Sequence, residues 1–295
     1  ITDRNGEPLA VSVPVDSVWV NPGLVLEQAD AIHALASVLG SEAGEIERRL
    51  LQRREREFVW LRRRVPPAMV DAIRELDLDG VYFQREYQRF YPSGEVAAHV
   101  IGFTNVDDVG QEGLELAYND WLQGVPGSKR VIRDRRGRVI EDVELVREAR
   151  AGRELRLTID RRLQYLAYRE LKRAVQEHDA DSASLVMLDA SNGEVLAMVN
   201  QPAYNPNQRP LRHDDRMRNR AVTDVFEPGS IIKPFTLAAI LESGLANPDT
   251  LVDTAPGKFE VGGHVIHDIS NYGEIDVTRI ITKSSNVGMA KLALA

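Results

Sequence analysis

The 295 residues carry 37 basic and 45 acidic side chains, a formal charge of −8, with 43% apolar and 28% charged residues. This is ordinary globular composition, enough for about two domains of roughly 100–200 residues each, and its acidic balance argues against nucleic acid or an anionic lipid surface as the main partner. The absence of cysteine excludes disulfides, thiolate catalysis and cysteine metal sites.

No apolar run approaches the roughly 18 residues a membrane helix needs, and no signal peptide opens the chain. "PLAVSVPVDSVWV" (8–20) alternates well enough for a strand. "LEQADAIHALASVLG" (26–40) has helical apolar spacing with Gly40 as its stop, and "GEIERRLLQRRERE" (44–57) has the same spacing on a charge-rich face. "FVWLRRRV" (58–65) is a second strand, and "PPAMVDAIRELDLDG" (66–80) opens a helix on prolines and closes at Gly80. "DGVYF" and "YQRFYP" are assigned to aromatic packing, and Arg85 and Arg89 with Glu95 and Glu115 to tying this part together. The stretch 101–150, rich in glycine and charge, predicts turns linking strands, with an arm-like shape open to it.

Composition puts a boundary near 147–153, giving domains 1–152 and 153–295. "ELRLTIDRRLQYLAYRELKRAVQEH" (154–178) predicts a strand and then a helix capped by Thr158 or Asp160. Leu163, Leu166, Ala167, Leu171, Ala174 and Val175 would line its buried face. "SASLVMLDASNGEVLAMVN" predicts two strands around Asn192-Gly193, and 201–224 a polar loop. The fold class that follows is α+β or α/β, a sheet with packed helices.

The loop leads into "FEPGSIIKPFTLAA", where Ser230 precedes Lys233 by three residues. A serine hydroxyl needs a nearby base to become a nucleophile, and residues three apart share a helix face, so Lys233 can reach back over Ser230. The bland account makes Ser230 a helix cap and Lys233 a solvated charge. Against it, Gly229 clears space beside Ser230, and Pro234 fixes the motif at a helix start whose first turn is irregular. The Ser230 N–H could donate there to an oxyanion. Phe226, Ile231, Ile232 and Phe235 would desolvate Lys233 and lower its pKa. Further on, "KSSNVG" (283–288) offers Ser284 to relay a proton and Asn286 to hold a peptide carbonyl. Its bland reading is a loop capping the next helix through Ser285 or Asn286.

S-x-x-K followed by S-x-N resembles the penicillin-recognising serine acyl enzymes. "DRNGEPLA", "REYQRFYPSGEVAAHVIGF", "GQEGLELAYNDWLQGVPG", "DRRGRVIED", "NGEVLAMVNQPAYNPN" and "RNRAVTDVFEPGS" extend the resemblance across nearly the whole chain. The likeness is to class B penicillin-binding proteins, most of all the Gram-negative cell-division group, penicillin-binding protein 3. It implies an elongated N-terminal pedestal module that docks partners, followed by part of a serine transpeptidase domain. The implied activity is D,D-transpeptidation of peptidoglycan stem peptides: Ser230 the nucleophile, Lys233 its base, Ser284 the proton relay and Asn286 the holder of the substrate amide. It further implies β-lactams as inhibitors, divisome proteins including a membrane-embedded glycosyltransferase as partners, and no cofactor or metal. The implied location is the periplasmic face of the inner membrane, with an anchor upstream of Ile1.

The family's third element, Lys-Thr-Gly, is absent from the six lysines. With an uncapped apolar end at "SSNVGMAKLALA", this leads to the expectation that sequence is missing at both ends and that the chain as given is inactive. Two alternatives stay open: a non-catalytic assembly module, and a hydrolase or receptor of the β-lactamase type. His264 and His267 in "GGHVIHDIS" have no third ligand and are assigned to a surface strand or turn.

Overall fold

The computed structural model describes residues 1–28, 30–133, 139–208 and 215–295. They group into two compact units, Ile1–Asp224 and Val225–Ala295.

In the first unit, β1 (Val11–Val20) pairs antiparallel with both β2 (Val59–Val65) and β3 (Val81–Phe90), in the order β2-β1-β3. Alternation sends Val18, Val20, Val59 and Leu61 to one face. There they pack with α1 (Pro22–Leu26), α2 (Ala31–Leu39), α3 (Ala43–Leu51) and α4 (Pro67–Glu75) through Val25, Leu35, Leu39, Leu50, Val70 and Ile73. Trp19 takes the other face and stacks on Tyr82, ring centroids 4.3 Å apart. No strand is expected from the sequence at β3. "FQREYQRF" is polar on both faces, so no alternation marks it, and pairing with β1 along all ten residues supplies the signal instead. Gly40 ends α2 in the left-handed conformation, as expected. The helix expected over 44–57 stops at Leu51, because Gln52–Glu57 hold no apolar side chain to bury.

A 3-10 segment, Gly94–Ala97, holds Glu95 and leads into α5 (Ala98–Ile101), followed by α6 (Gly113–Ala117) and α7 (Asn119–Leu122). Of the expected ion pairs, Arg89 meets the buried Glu115 at 2.7 Å. Arg85 instead pairs with Asp16, and Glu95 accepts from Tyr168 and from Lys172 at 3.4 Å. The strands expected within 101–150 are the antiparallel β4 (Ser128–Arg133) and β5 (Val139–Arg147). The "DRRGR" turn at 134–138 lies outside the described residues, as do 209–214 of the polar loop.

The helix α8 (Arg161–Glu177) is capped by Asp160, whose carboxylate accepts from the N–H groups of Arg162 and Leu163 at 2.9 and 3.3 Å. Thr158 donates to Val195 O instead. It packs on the hairpin β6 (Ala183–Leu188) and β7 (Val195–Gln201), burying Ala167 against Ala197 and Val199 with Leu163, Tyr168 and Leu171 alongside. Leu166 is exposed, contrary to the expected face, while Gln164 is buried. Leu163, Ala167 and Leu171 set the packed stripe, and Leu166 falls about a quarter turn or more away from it. The unit closes with α9 (Arg220–Thr223).

The second unit begins with a 3-10 turn, Gly229–Ile232, that runs into α10 (Lys233–Glu242) with Pro234 in its first turn. Four short strands follow: β8 (Leu251–Asp253), β9 (Lys258–Val261), β10 (His264–His267) and β11 (Glu274–Asp276). They form two antiparallel pairs, β9 with β10 and β8 with β11. Asp276 caps α11 (Val277–Lys283) and Ser285 caps α12 (Asn286–Leu294). The core joins Leu237 and Ile240 of α10 to Ile275, Val277, Ile280, Met289 and Leu292. That packing brings the start of α10 beside the turn between α11 and α12.

Candidate active site

The irregular first turn expected around Ser230 is the 3-10 turn, and Gly229 within it adopts φ 57°. A Cβ built there would meet nothing within 4 Å. Glycine is therefore required here by the left-handed backbone, and no protein atom crowds the space beside Ser230 that it leaves. Ser284 closes α11, also in the left-handed region, at φ 53° and ψ 39°, which is uncommon for a residue with a side chain. Asn286 opens α12 two residues on.

These four residues meet. Lys233 is 7% exposed, and its Nζ donates to Ser284 O at 2.6 Å, to Ser284 Oγ at 3.1 Å and to Asn286 Oδ1 at 2.6 Å. Ser284 Oγ in turn bonds Ser230 Oγ at 3.0 Å. Among the described residues no hydrogen bond joins Lys233 Nζ to Ser230 Oγ directly; the Ser284 hydroxyl stands between them. The reason is the acceptor count. An ammonium has three N–H donors, and three acceptors on the 284–286 segment engage them.

Burial pushes Lys233 below the ordinary lysine range, while the negative charge of Asp268 acts in the opposite direction. The expected source of that burial is corrected. Phe226, Ile231, Ile232 and Phe235 are 78, 70, 47 and 70% exposed, so they do not enclose the ammonium. Ser284 and Asn286, drawn over it by the packing of α11 and α12 on α10, do so instead.

Sequence reasoning passed over two residues that complete the cluster. Asp268 accepts from Ser285 Oγ at 2.6 Å, from Asn286 N at 2.5 Å and from Val287 N at 3.1 Å. The His267 carbonyl accepts from Asn286 Nδ2 at 2.9 Å. An amide NH₂ has two donors, which leaves the second N–H of Asn286 for a ligand carbonyl. No local pattern in "VIHDIS" marks these contacts; only the approach of β10 to α12 makes them. The His264 and His267 side chains are exposed on β10, and the described residues hold no group of three or more His, Cys, Asp or Glu suited to a metal.

This arrangement presents an exposed serine hydroxyl, a second hydroxyl bonded to it and a buried amine at the end of the chain of bonds. It can remove a proton from the first serine and return one to a nearby atom. Residues 183–295 match the penicillin binding protein transpeptidase domain, and residues 1–157 match the penicillin-binding protein dimerisation domain. The peptidoglycan D,D-transpeptidase FtsI of Escherichia coli K12 is 45% identical over 300 residues, covering 100% of this chain and 50% of that protein. The probable peptidoglycan D,D-transpeptidase PbpC of Pseudomonas aeruginosa is 42% identical over 294 residues, with 100% and 52% covered. The probable peptidoglycan D,D-transpeptidase PenA of Neisseria meningitidis serogroup A is 40% identical over 297 residues, with 99% and 51% covered. A crystal structure of a peptidoglycan synthetase from Bifidobacterium adolescentis superposes with a TM-score of 0.66 at 25% identity, over 99% of this chain and 58% of the other. The chain spans about half the length of the curated relatives it matches.

Proposed function

The chain belongs to the class B penicillin-binding proteins, and from that premise we propose that it forms part of a peptidoglycan D,D-transpeptidase of the cell-division type. The observation that carries the proposal is the run of bonds from Lys233 Nζ through Ser284 Oγ to Ser230 Oγ, at 3.1 and 3.0 Å.

Ser230 attacks the carbonyl of the penultimate D-alanine of a stem peptide, forming the Oγ–C bond. The serine proton passes to the Ser284 hydroxyl, which gives its own to neutral Lys233. Proton transfer by positioned groups of this kind is worth about 10²–10⁴-fold. The Ser230 N–H, at the mouth of α10, donates to the developing oxyanion, and the free N–H of Asn286 holds the substrate amide. Collapse of the tetrahedral intermediate breaks the peptide bond; the Ser284 hydroxyl protonates the departing D-alanine nitrogen and is reprotonated by Lys233. An amine of a second stem peptide then displaces Ser230 from the ester, making the cross-link. β-Lactams acylate the same oxygen.

Residues 1–152 act as a non-catalytic pedestal that docks partners and 153–295 as the start of the transpeptidase domain, a division supported by family matches over 1–157 and 183–295. The partners are divisome proteins, including a membrane-embedded glycosyltransferase, at the periplasmic face of the inner membrane. No helix among the described residues is long and apolar enough to cross a membrane.

The test is intact mass after incubation with a fluorescent penicillin, for the parent and Ser230→Ala. A stable adduct on the parent alone is the expected result. No adduct on the folded parent would sink the nucleophile reading for this chain and leave it as a docking module.

A further inference from the structure

The hydroxyl of Ser284 and the amide of Asn286 work only if they stay where Lys233 and Ser230 meet them. What holds them there is not local. The helix α12 opens with unpaired N–H groups, as every helix does. Ser285 caps it by accepting from Gly288 N at 2.9 Å, which would suffice for an ordinary helix start. Yet a carboxylate from seventeen residues upstream is added: Asp268 Oδ2 takes the Ser285 hydroxyl at 2.6 Å, and its Oδ1 takes the N–H groups of Asn286 and Val287 at 2.5 and 3.1 Å. The neighbouring His267 carbonyl takes Asn286 Nδ2 at 2.9 Å, which turns Oδ1 of that amide towards Lys233. Four bonds from two consecutive residues thus converge on Ser285, Asn286 and Val287. Ser284, immediately before them, is held in a left-handed conformation that its side chain disfavours. A conformation of that kind persists where its surroundings over-determine it.

We propose that Asp268, with the His267 carbonyl, is a positioning residue that clamps the Ser284–Asn286 segment, so that Ser284 Oγ bridges Lys233 and Ser230 and the free Asn286 N–H faces the substrate. The role rests on the reading of Ser230 as nucleophile, but the clamp itself can be examined without it. Asp268 touches neither Ser230 nor the reacting atoms and acts through Ser285 and Asn286. Charge-assisted bonds suit the task because they are shorter and stronger than neutral ones, and a misplacement near 1 Å at a reacting group costs about 10²-fold.

The experiment compares the parent with Asp268→Asn and Ser285→Ala. Asp268→Asn keeps the shape and removes the charge and one acceptor; Ser285→Ala removes the ordinary cap. Saturating acylation by the fluorescent penicillin should slow about 10- to 100-fold in Asp268→Asn, with the half-saturating concentration changed by less than about threefold. The acid limb of its pH profile should move to lower pH, because the charge that raises the Lys233 pKa is gone. A residue that merely stabilised α12 would not move that limb. In hydrogen exchange, amides 284–289 should lose protection in Asp268→Asn while those of α10 keep theirs. Acylation within about twofold of the parent and an unmoved profile would overturn the proposal, as would unchanged exchange at 284–289. If the parent itself forms no adduct, the nucleophile reading fails and exchange alone decides the clamp. Ser285→Ala should lose exchange protection less than Asp268→Asn; the reverse order would make the local cap the clamp and overturn the assignment to Asp268.

Discussion

Ser284 combines a strained backbone with two hydroxyl bonds, and the two can be separated by substitution. A left-handed residue bearing a Cβ costs on the order of 1–2 kcal/mol, a cost that glycine avoids. Ser284→Ala and Ser284→Gly both remove the bridge between Lys233 and Ser230. Each should therefore slow penicillin acylation by about 100-fold or more. The glycine variant should nevertheless be more stable than the alanine variant by about 1 kcal/mol, read from urea unfolding. Equal stabilities would show that the φ of 53° is not a constraint. Lys233 sets the pH limb of the same reaction. Its burial disfavours the charged form, so the neutral base appears at lower pH than for an ordinary lysine, and acylation should rise through a limb below 10.5. Of this site, Ser230, Lys233, Ser284 and Asn286 were legible as motifs. The place of the Ser284 hydroxyl between Lys233 and Ser230 was not, because residue spacing counts positions along one helix while Ser284 arrives from another.

At the scale of an element, α8 shows what periodicity can and cannot resolve. Its start at Asp160 and its apolar stripe through Leu163, Ala167 and Leu171 follow from the sequence. The burial of Gln164 does not, since a glutamine on a helix is ordinarily solvated. Here its amide donates to Val96 O and Met198 O, both at 2.8 Å, and accepts from Met198 N at 2.9 Å, joining the helix to β7 and to the 94–97 turn. Gln164→Ala should cost about 2–4 kcal/mol, because it strands three half-buried backbone groups. Leu166→Ala, on the exposed face, should stay within about 0.5 kcal/mol. Chemical denaturation of both variants checks the contrast; a reversed order would restore the face expected from the sequence. The unforeseen strand β3 makes the same point from the other side. A polar ten-residue segment becomes a strand because β1 offers it a full row of partners.

At the scale of the whole molecule, buried and half-buried groups of the first unit contribute to the acid response of stability. His99 is 6% exposed and donates from Nε2 to the Arg216 carbonyl at 2.8 Å. Burial, the largest influence, lowers its pKa below 6.5; the bond to the Arg216 carbonyl opposes this, and the Arg220 charge adds to it. The unfolded chain therefore takes up a proton first as pH falls, and stability declines from about pH 6.5 down to the folded pKa, then levels off for this group. Burial works to raise the pKa values of Asp3 and Glu86, but their hydrogen bonds and, for Glu86, the Arg63 guanidinium together hold both below the ordinary value, so they add a second loss only below the ordinary carboxylate range. Unfolding midpoints measured from pH 7.5 to 5.5 should fall for the parent, and His99→Gln should flatten that slope. An equal slope in the variant would place the titrating group elsewhere.

Consecutive residues carry the mixed α/β class, the helices α2, α3 and α4 with the strands β1 and β2, and the family, because caps, alternation and short motifs are local. The tertiary structure alone decided which apolar and polar residues are buried, that the Ser284 hydroxyl lies between Lys233 and Ser230, and that Asp268 and His267 hold Asn286. Those contacts join segments seventeen to more than fifty residues apart, and they exist only where packing of α10, α11 and α12 on one core makes the ends of these elements converge.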